Sequence, residues 1–451
     1  MDQLIAFRSL QGIGGAGLYS MTNIVIPEIT PKKHFAVSSH VHYQCVLKLI
    51  TVQTMSGATG GVFAVSSVLG PVLGGIICDR ITWRWIFLLN VPCGAVVVLV
   101  ILISWPDSVD KRSLQLHKVS VMQIDFVGTI LLMAATVLLV VAMQEAGTSI
   151  YGWNSSVIIG LLCGCGLSVA GIIGWTAILE LSRDKTLIIP TFPFRFLQQR
   201  IILTGFLVAL LTGFPLFLTL IQIPERFQIV NRTSTIGAGV RLMPLLFASA
   251  FGSSIAGFCS SRENNTFWTL LAASSLMLIG SGLLSSLSTS FNISAANYGY
   301  QVIFGLGIGM TFSTVIILVS LEAEFKDYSI ALGIVNQARI LGGVIGLAVS
   351  TIIFNIHVGQ DLSSILEPQQ IQALRQSLNV LPTFSQQQQE AVRETFAKSF
   401  DEQLRVCTYL AAVCWVVVWG AWSKTPVDLA KRKEAYDALI EGRVPEGSRE
   451  R

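Results

Sequence analysis

The sequence predicts an all-α polytopic membrane protein. Of its 451 residues, 52% are hydrophobic and only 12% are charged, whereas soluble domains carry about 25% charged residues. Apolar stretches of about 20 residues, the length that crosses a bilayer as a helix, recur along the chain. The stretch from 57 to 75 contains six glycines and a proline but no charge. Lipid-embedded helices tolerate such a composition and soluble helices do not.

Eleven stretches meet this length criterion. They are residues 3–27, 56–78, 85–104, 124–146, 156–179, 200–222, 234–257, 266–287, 297–320, 329–354 and 404–423. Basic residues gather in the loops after the first, third and fifth stretches and in the tail 424–451, which the positive-inside rule places in the cytoplasm. The opposite side then receives Met1, short loops and one long polar segment, 355–403, which we expect to be an extracellular loop.

Two glycine-rich patterns occur twice, in the same order. Leu10–Gly17 resembles Phe304–Met310, and Leu69–Gly74 resembles Leu341–Gly346. Matching order indicates a parallel duplication, which is typical of large transporters. The two patterns lie 58 residues apart at Gly12 and Gly70 but only 37 apart at Gly305 and Gly342. The excess falls in Val37–Gln53, which has no turn signals and is too short to cross a membrane. Our hypothesis is that these 17 residues are a retained intron.

Composition and motifs argue against several other classes of protein. The net charge of +4 is small and spread over loops, so it predicts no nucleic-acid partner. Cys163 and Cys165 lie two residues apart on a predicted helix and face different directions, which disfavours a metal site. No His-rich, paired-carboxylate or Ser/His pattern marks an enzyme, and no cofactor or metal is predicted.

Arg8 lies inside the first predicted span, with Gln11 and Gly12 on nearly the same helical face. A guanidinium in the membrane costs at least about 2.5–3.5 kcal/mol, so it should face the bundle interior or water. It stays protonated, so it can bind an anion or favour a nearby carboxylate but cannot release a proton. The alternative is an arginine near a helix end that extends to the interface.

These residues resemble motifs of the major facilitator superfamily. Arg8, Gln11 and Gly12 resemble its motif B, R-x-x-Q-G. The set Gly57, Gly70, Pro71, Gly74 and Gly75 resembles motif C, the antiporter motif of the drug/proton branches, with Ser66 in place of one glycine. The set Trp83, Arg84, Phe87, Asn90 and Pro92 resembles a segment of the fourteen-span drug/proton antiporters, particularly the fungal ones, and residues 239–244 resemble a later segment of that branch.

The resemblance implies a major facilitator fold with about 11 of 14 expected transmembrane helices. Residues 1–104 would be the remnant of the N-terminal half, 105–199 two central linker helices with their loops, 200–423 the C-terminal six-helix half, and 424–451 a cytoplasmic tail. The family pattern places three further helices and a motif A loop before Met1, so we expect the chain to be truncated.

The resemblance also implies a function, which is proton-coupled efflux of small amphipathic drugs or toxins by alternating access. The protein would act as a monomer in the plasma membrane or the vacuolar membrane. Arg8 would assist proton coupling, the motif C residues would shape a packing hinge, and Arg241, Asn336 and Arg339 are candidates for the central cavity, unless they are buried structural groups. A metabolite or siderophore carrier and a non-functional remnant are the alternatives. We expect Asp125 and Glu145 to be interfacial.

Overall fold

The structure, a computed structural model, is helical throughout its regular elements, as expected for the predicted fold class. It describes residues 2–29, 66, 69–70, 73–77, 80–82, 84–104, 123–147, 151–182, 188–262, 264–287, 291, 293–324, 327–376 and 378–428. Within these ranges the only β-type pairing is an isolated bridge between Ile124 and Ile189. The hypothesis about Val37–Gln53 lies outside the described residues.

The helices are named here in chain order. They are α1 (Asp2–Ile29), α2 (Arg84–Leu88), α3 (Asn90–Ser104), α4 (Phe126–Gly147), α5 (Ser156–Leu181), α6 (Arg195–Gln198), α7 (Arg200–Ile229), α8 (Thr235–Arg241), α9 (Met243–Arg262), α10 (Thr266–Ser285), α11 (Ala296–Glu322), α12 (Tyr328–Asp361), α13 (Pro368–Gln376) and α14 (Gln386–Val418).

In the described part of the chain, nine helical stretches are long and apolar enough to cross a membrane. They coincide with the nine predicted spans from 85–104 onward, because length and hydropathy alone define them. The first predicted span, 3–27, is helix α1, although it is not among those nine. The second, 56–78, is described only in part, and its residues 73–77 are helical.

The segment 355–403 is not the long loop that its polar sequence predicts. Helix α12 continues to Asp361, α13 and a 3-10 turn follow, and α14 begins at Gln386 behind a capping box made by Ser385 and Gln388. Apolar side chains at helical spacing, including Val358, Leu362, Val392, Phe396 and Phe400, bury one face of each helix in a local core. We call residues 358–400 the cap. Its other face is polar, which makes the whole segment look like a loop in sequence.

Hydrogen bonds between loops show which helix ends lie together at each of the two ends of the bundle. On the first, the tail face, Arg200 donates to the Trp422 carbonyl at 2.6 Å and Asn264 to that of Val427 at 3.1 Å. On the second, the cap face, Asn231 donates to the Phe291 carbonyl at 2.9 Å, and Arg393 of the cap donates to that of Val230. This grouping agrees with the predicted alternation of loops, while the assignment of the tail face to the cytoplasm stays a prediction.

Glycines let the helices of the C-terminal half touch backbone to backbone. A Cβ atom at Gly342 of α12 would lie 1.9 Å from the Leu210 carbonyl oxygen of α7, and one at Gly213 would lie 1.9 Å from that of Arg339. Helix α11 is held in the same way, because a Cβ at Gly309 would lie 1.8 Å from the Ser249 carbonyl oxygen of α9. Lipid exerts no hydrophobic force between helices, so close packing of this kind stabilises the bundle.

A buried ion pair joins α7 to α14 near the cap face. Arg226 Nη1 lies 2.7 Å from Asp401 Oδ1, and both residues are buried. One turn away, Gln222 donates to the Ser350 hydroxyl at 2.6 Å, and Gln403 donates to the Ser350 carbonyl at 3.3 Å. Helices α7, α12 and α14 are therefore tied together by side chains as well as by glycine contacts.

Asp125 links the central helices α4 and α5 to the segment around Thr191, which precedes the C-terminal half. Its carboxylate accepts hydrogen bonds from the Gly128 amide at 2.7 Å, the Trp175 indole at 2.8 Å and the Thr191 amide at 3.0 Å. A carboxylate surrounded by N–H donors at a helix start is a structural cap. This arrangement supports a structural role for Asp125 at the start of α4.

We predict that Gly342→Ala destabilises the protein by about 1–3 kcal/mol, the usual cost of overpacking. The added methyl group has to push the Leu210 carbonyl aside. Gly333→Ala is the matched control on α12, because it has no atom within 4 Å and alanine favours a helix. Thermal unfolding of the detergent-solubilised protein compares them, and equal melting temperatures for the two variants would contradict the packing argument.

We also predict that Asp401→Ala costs about 3–5 kcal/mol, because it takes away the carboxylate that balances a buried guanidinium. The control is Glu394→Ala, which breaks the exposed Lys398–Glu394 pair and should cost less than about 1 kcal/mol. Thermal unfolding in detergent measures both. A loss for Asp401→Ala no larger than for the control would show that the buried pair does not stabilise the bundle.

Candidate functional site

Arg8 lies on α1 and contacts Phe87, a residue of the antiporter-like segment that follows motif C. Its Nη1 donates to Gln11 Oε1 at 2.9 Å, and its guanidinium carbon lies 5.2 Å from the centre of the Phe87 ring on α2. Arg8, Gln11 and Gly12 are exposed in the described structure. The cation–π contact joins motif B to the segment that contains Phe87, a proximity that neither motif predicts from sequence.

The rest of that segment shapes the junction between α2 and α3. Asn90 Nδ2 donates to the Ile86 carbonyl at 3.3 Å, and Pro92 has no N–H to continue the helical ladder. The Asn90 side chain thus binds a carbonyl of the last turn of α2, while Pro92 leaves the Leu88 carbonyl without its usual donor. Arg84 begins α2 and is exposed, while Trp83 lies outside the described residues.

The motif C glycines differ in their surroundings. Gly70 and Gly74 have no described atom within 4 Å of a Cβ position, whereas Gly75 is buried, with the Ile236 backbone nitrogen of α8 at 3.3 Å. Gly75 therefore contacts the C-terminal half. Gly57 and Pro71 lie outside the described residues, and the hinge role of the set stays a prediction.

Arg339 and Asn336 lie one turn apart on α12, and both are buried. The Arg339 guanidinium carbon is 3.9 Å from the centre of the Phe312 ring on α11, and Nη2 donates to the Phe312 carbonyl at 3.4 Å. Arg339 lies 11 residues from the start of α12 at Tyr328, about 16 Å along the helix axis. The arginine therefore lies deep in the bundle, and whether it lines a cavity stays a prediction.

Arg241 occupies a different position. It ends the short helix α8 and is half-buried, with its Nη1 close to Gly237 in the first turn of the same helix. Since α8 starts at the cap face, Arg241 lies nearer that end than Arg339 does. The structure thus separates two arginines that the sequence groups as candidates for one cavity.

Helix α12 contacts helices from both the N-terminal and the C-terminal parts of the chain. It contacts α1, which carries Arg8, and the central helix α4, besides α7, α11 and α14 of its own half. Sequence reasoning missed Phe312, because one phenylalanine among many in an apolar span has no distinguishing signal. It missed Asp401 because the polar segment around it reads as a loop, although its apolar residues repeat at helical spacing.

Comparisons with known proteins agree with the motifs. The family model described as Major Facilitator Superfamily matches residues 1–347. The MFS-type transporter FPY5 of Fusarium mangiferae is 34% identical over 91% of this chain and 67% of its own length. The aspyridones efflux protein of Neocamarosporium betae is 30% identical over 80% of this chain and 60% of its own. The efflux pump aflT of Aspergillus parasiticus is 26% identical over 81% and 66%.

The chain spans about 60–67% of the length of these three relatives. A solved structure of a bacterial homologue of the human lysosomal transporter Spinster aligns with 90% of this chain and 95% of its own at 12% identity and a TM-score of 0.41. The members of the matching family are membrane transporters and not enzymes. On the family match and the FPY5 relative, the chain belongs to the Major Facilitator Superfamily.

Proposed function

We propose that the protein is a proton-coupled exporter of small amphipathic drugs or toxins that works by alternating access. The observation that carries this proposal is the position of α12. It bears the buried Arg339 and contacts α1, which bears Arg8. Movement of the two parts of the chain against each other would therefore change the surroundings of both arginines.

The chemistry of the two arginines supports this proposal. Ionisable groups within membrane spans are costly, and they usually line substrate or ion pathways. Arg8 rests against an aromatic ring and a glutamine amide, neither of which takes away its charge. It can therefore favour the deprotonated state of a carboxylate, or hold an anionic group, during the transport cycle.

Packing in the C-terminal half supports a rocking movement. Helices α7, α12 and α14 are tied by glycine contacts and by the Arg226–Asp401 pair, so they would move as one unit. The names of the relatives from Neocamarosporium betae and Aspergillus parasiticus as efflux proteins favour export over import. We further propose a plasma-membrane or vacuolar location and a monomeric state.

The test is Arg8→Ala in the full chain, reconstituted into lipid vesicles with an imposed pH gradient. Transport of a panel of fluorescent amphipathic dyes should fall about tenfold or more, the equivalent of losing one charge-assisted hydrogen bond of about 1.5–3 kcal/mol. Transport by the starting protein should also vanish when the gradient is collapsed.

Lys424→Ala is the control, because it removes an exposed cation from the tail face and should transport normally. Gradient-driven transport that survives in Arg8→Ala at the same protein density would contradict the role of Arg8. Transport that ignores the gradient in the starting protein would contradict proton coupling.

A further inference from the structure

Glu225 is an acidic residue of α7 to which the proposed function assigns no role. It lies four residues before the end of α7 at Ile229, about 6 Å from that end along the helix axis. Its side chain is half-buried, and it has no hydrogen bond or ion pair in the described part of the structure. An ionisable residue in a membrane-crossing helix is costly and usually serves a function.

Carboxylates elsewhere in the bundle have partners. Asp125 accepts hydrogen bonds from three N–H groups, Asp401 pairs with Arg226, and Glu402 contacts His357. In each case the partner offsets part of the cost of the charge. Glu225 has no such partner among the described residues, so its charge is a cost that protonation removes.

The charged groups around Glu225 do not compensate for its burial. Next to it on α7, Arg226 is bound to Asp401 of α14, and Arg232, just beyond the helix end, donates to Gln389. Helix α11 carries only tyrosines at its cap-face end, since its one charged residue lies at the other end. The remaining ionisable groups on the cap side of the helices packed against α7 are His357 and Asp361 of α12, Arg393, Glu402 and Arg405 of α14, and Arg241 of α8.

Glu225 lies beside the contacts that join three helices. Gln222 precedes it by three residues, so the two side chains are neighbours on α7, and Gln222 donates to the Ser350 hydroxyl of α12 at 2.6 Å. Arg226 follows it and pairs with Asp401 of α14 at 2.7 Å. A change of charge at Glu225 therefore occurs where α7 meets α12 and α14. Helix α12 in turn contacts α1 and α4 of the N-terminal part of the chain.

We infer that Glu225 is the carboxylate that takes up the driving proton of export at the cap face. A proton from the solution on that side forms an O–H bond with the carboxylate and removes its charge. When the two parts of the chain rearrange, that bond breaks and the proton passes to water on the tail side, so one proton is bound and one is released in each cycle. This inference rests on the proposed function and on the predicted placement of the tail face in the cytoplasm.

Infrared difference spectroscopy of the purified full chain in detergent tests whether Glu225 binds a proton. Between about pH 5 and pH 8 an ordinary carboxyl group does not change its charge. The starting protein should nevertheless lose the C=O band of a protonated carboxyl group as the pH is raised through this range, and Glu225→Gln should lack that band. A starting protein without the band, or an identical band in Glu225→Gln, would overturn the proposal.

Two further variants complete this measurement. Glu394→Gln is the matched control, because the Glu394 carboxylate is exposed and pairs with Lys398, and its spectrum should keep the band unchanged. Glu225→Asp should keep a carboxyl band at a shifted frequency. If Glu225→Gln does not fold, this shift assigns the band to position 225, and an unshifted band in Glu225→Asp would refute the assignment.

Transport in lipid vesicles tests the coupling. A gradient of one pH unit can drive about tenfold accumulation of a substrate that is exchanged for one proton. The starting protein should accumulate dyes of the same amphipathic panel, whereas Glu225→Gln should exchange internal for external dye without accumulating it. Loss of exchange together with accumulation would indicate a structural role for Glu225 and count against the proposal.

The two measurements separate the failure of this inference from that of the proposed function. A starting protein that exchanges dye but ignores the gradient would overturn proton-coupled export together with this inference. A missing infrared band beside intact gradient-driven transport would overturn this inference alone.

Discussion

The close approach of α7 and α12 is the contact on which the rest of the C-terminal half depends. Lipid is as apolar as a leucine side chain, so helices in a membrane associate through fit and not through burial from water. Gly213 and Gly342 remove the side chains that would hold the two backbones apart. Gly213 packs against the backbone of Arg339 itself. The contact that stabilises the bundle therefore also fixes the position of the buried guanidinium.

Polar groups reinforce this contact near the cap face. Arg226 and Asp401 pair between α7 and α14, and Ser350 of α12 joins both helices through Gln222 and Gln403. The cap then packs its own apolar core over the ends of α7 and α12. Helices α7, α12 and α14 are therefore held together both within the bundle and near the cap face.

How much of the fold could be predicted from the sequence depends on the physical property that defines each feature. The spans from 85–104 onward could be placed because crossing a bilayer demands only length and hydropathy. The glycines of 341–346 could be recognised because close packing demands small residues. The cap was missed because its helices bury a single face and average out as polar, although their apolar residues repeat at helical spacing. The contacts of Arg8 with Phe87 and of Arg339 with Phe312 could not be predicted, because they join residues far apart in sequence.

Arg8 and Arg339 both lie against a phenylalanine ring, although the internal repeat does not relate their positions. Matching Gly12 to Gly305 places Arg8 opposite Gln301, and matching residues 69–74 to 341–346 places Arg339 opposite Ser67. Yet each guanidinium lies against a phenylalanine ring of another helix. A shared origin would have placed the two arginines at equivalent sites. The aromatic contact is therefore better explained by the cost of a charge in lipid, because a ring stabilises the cation.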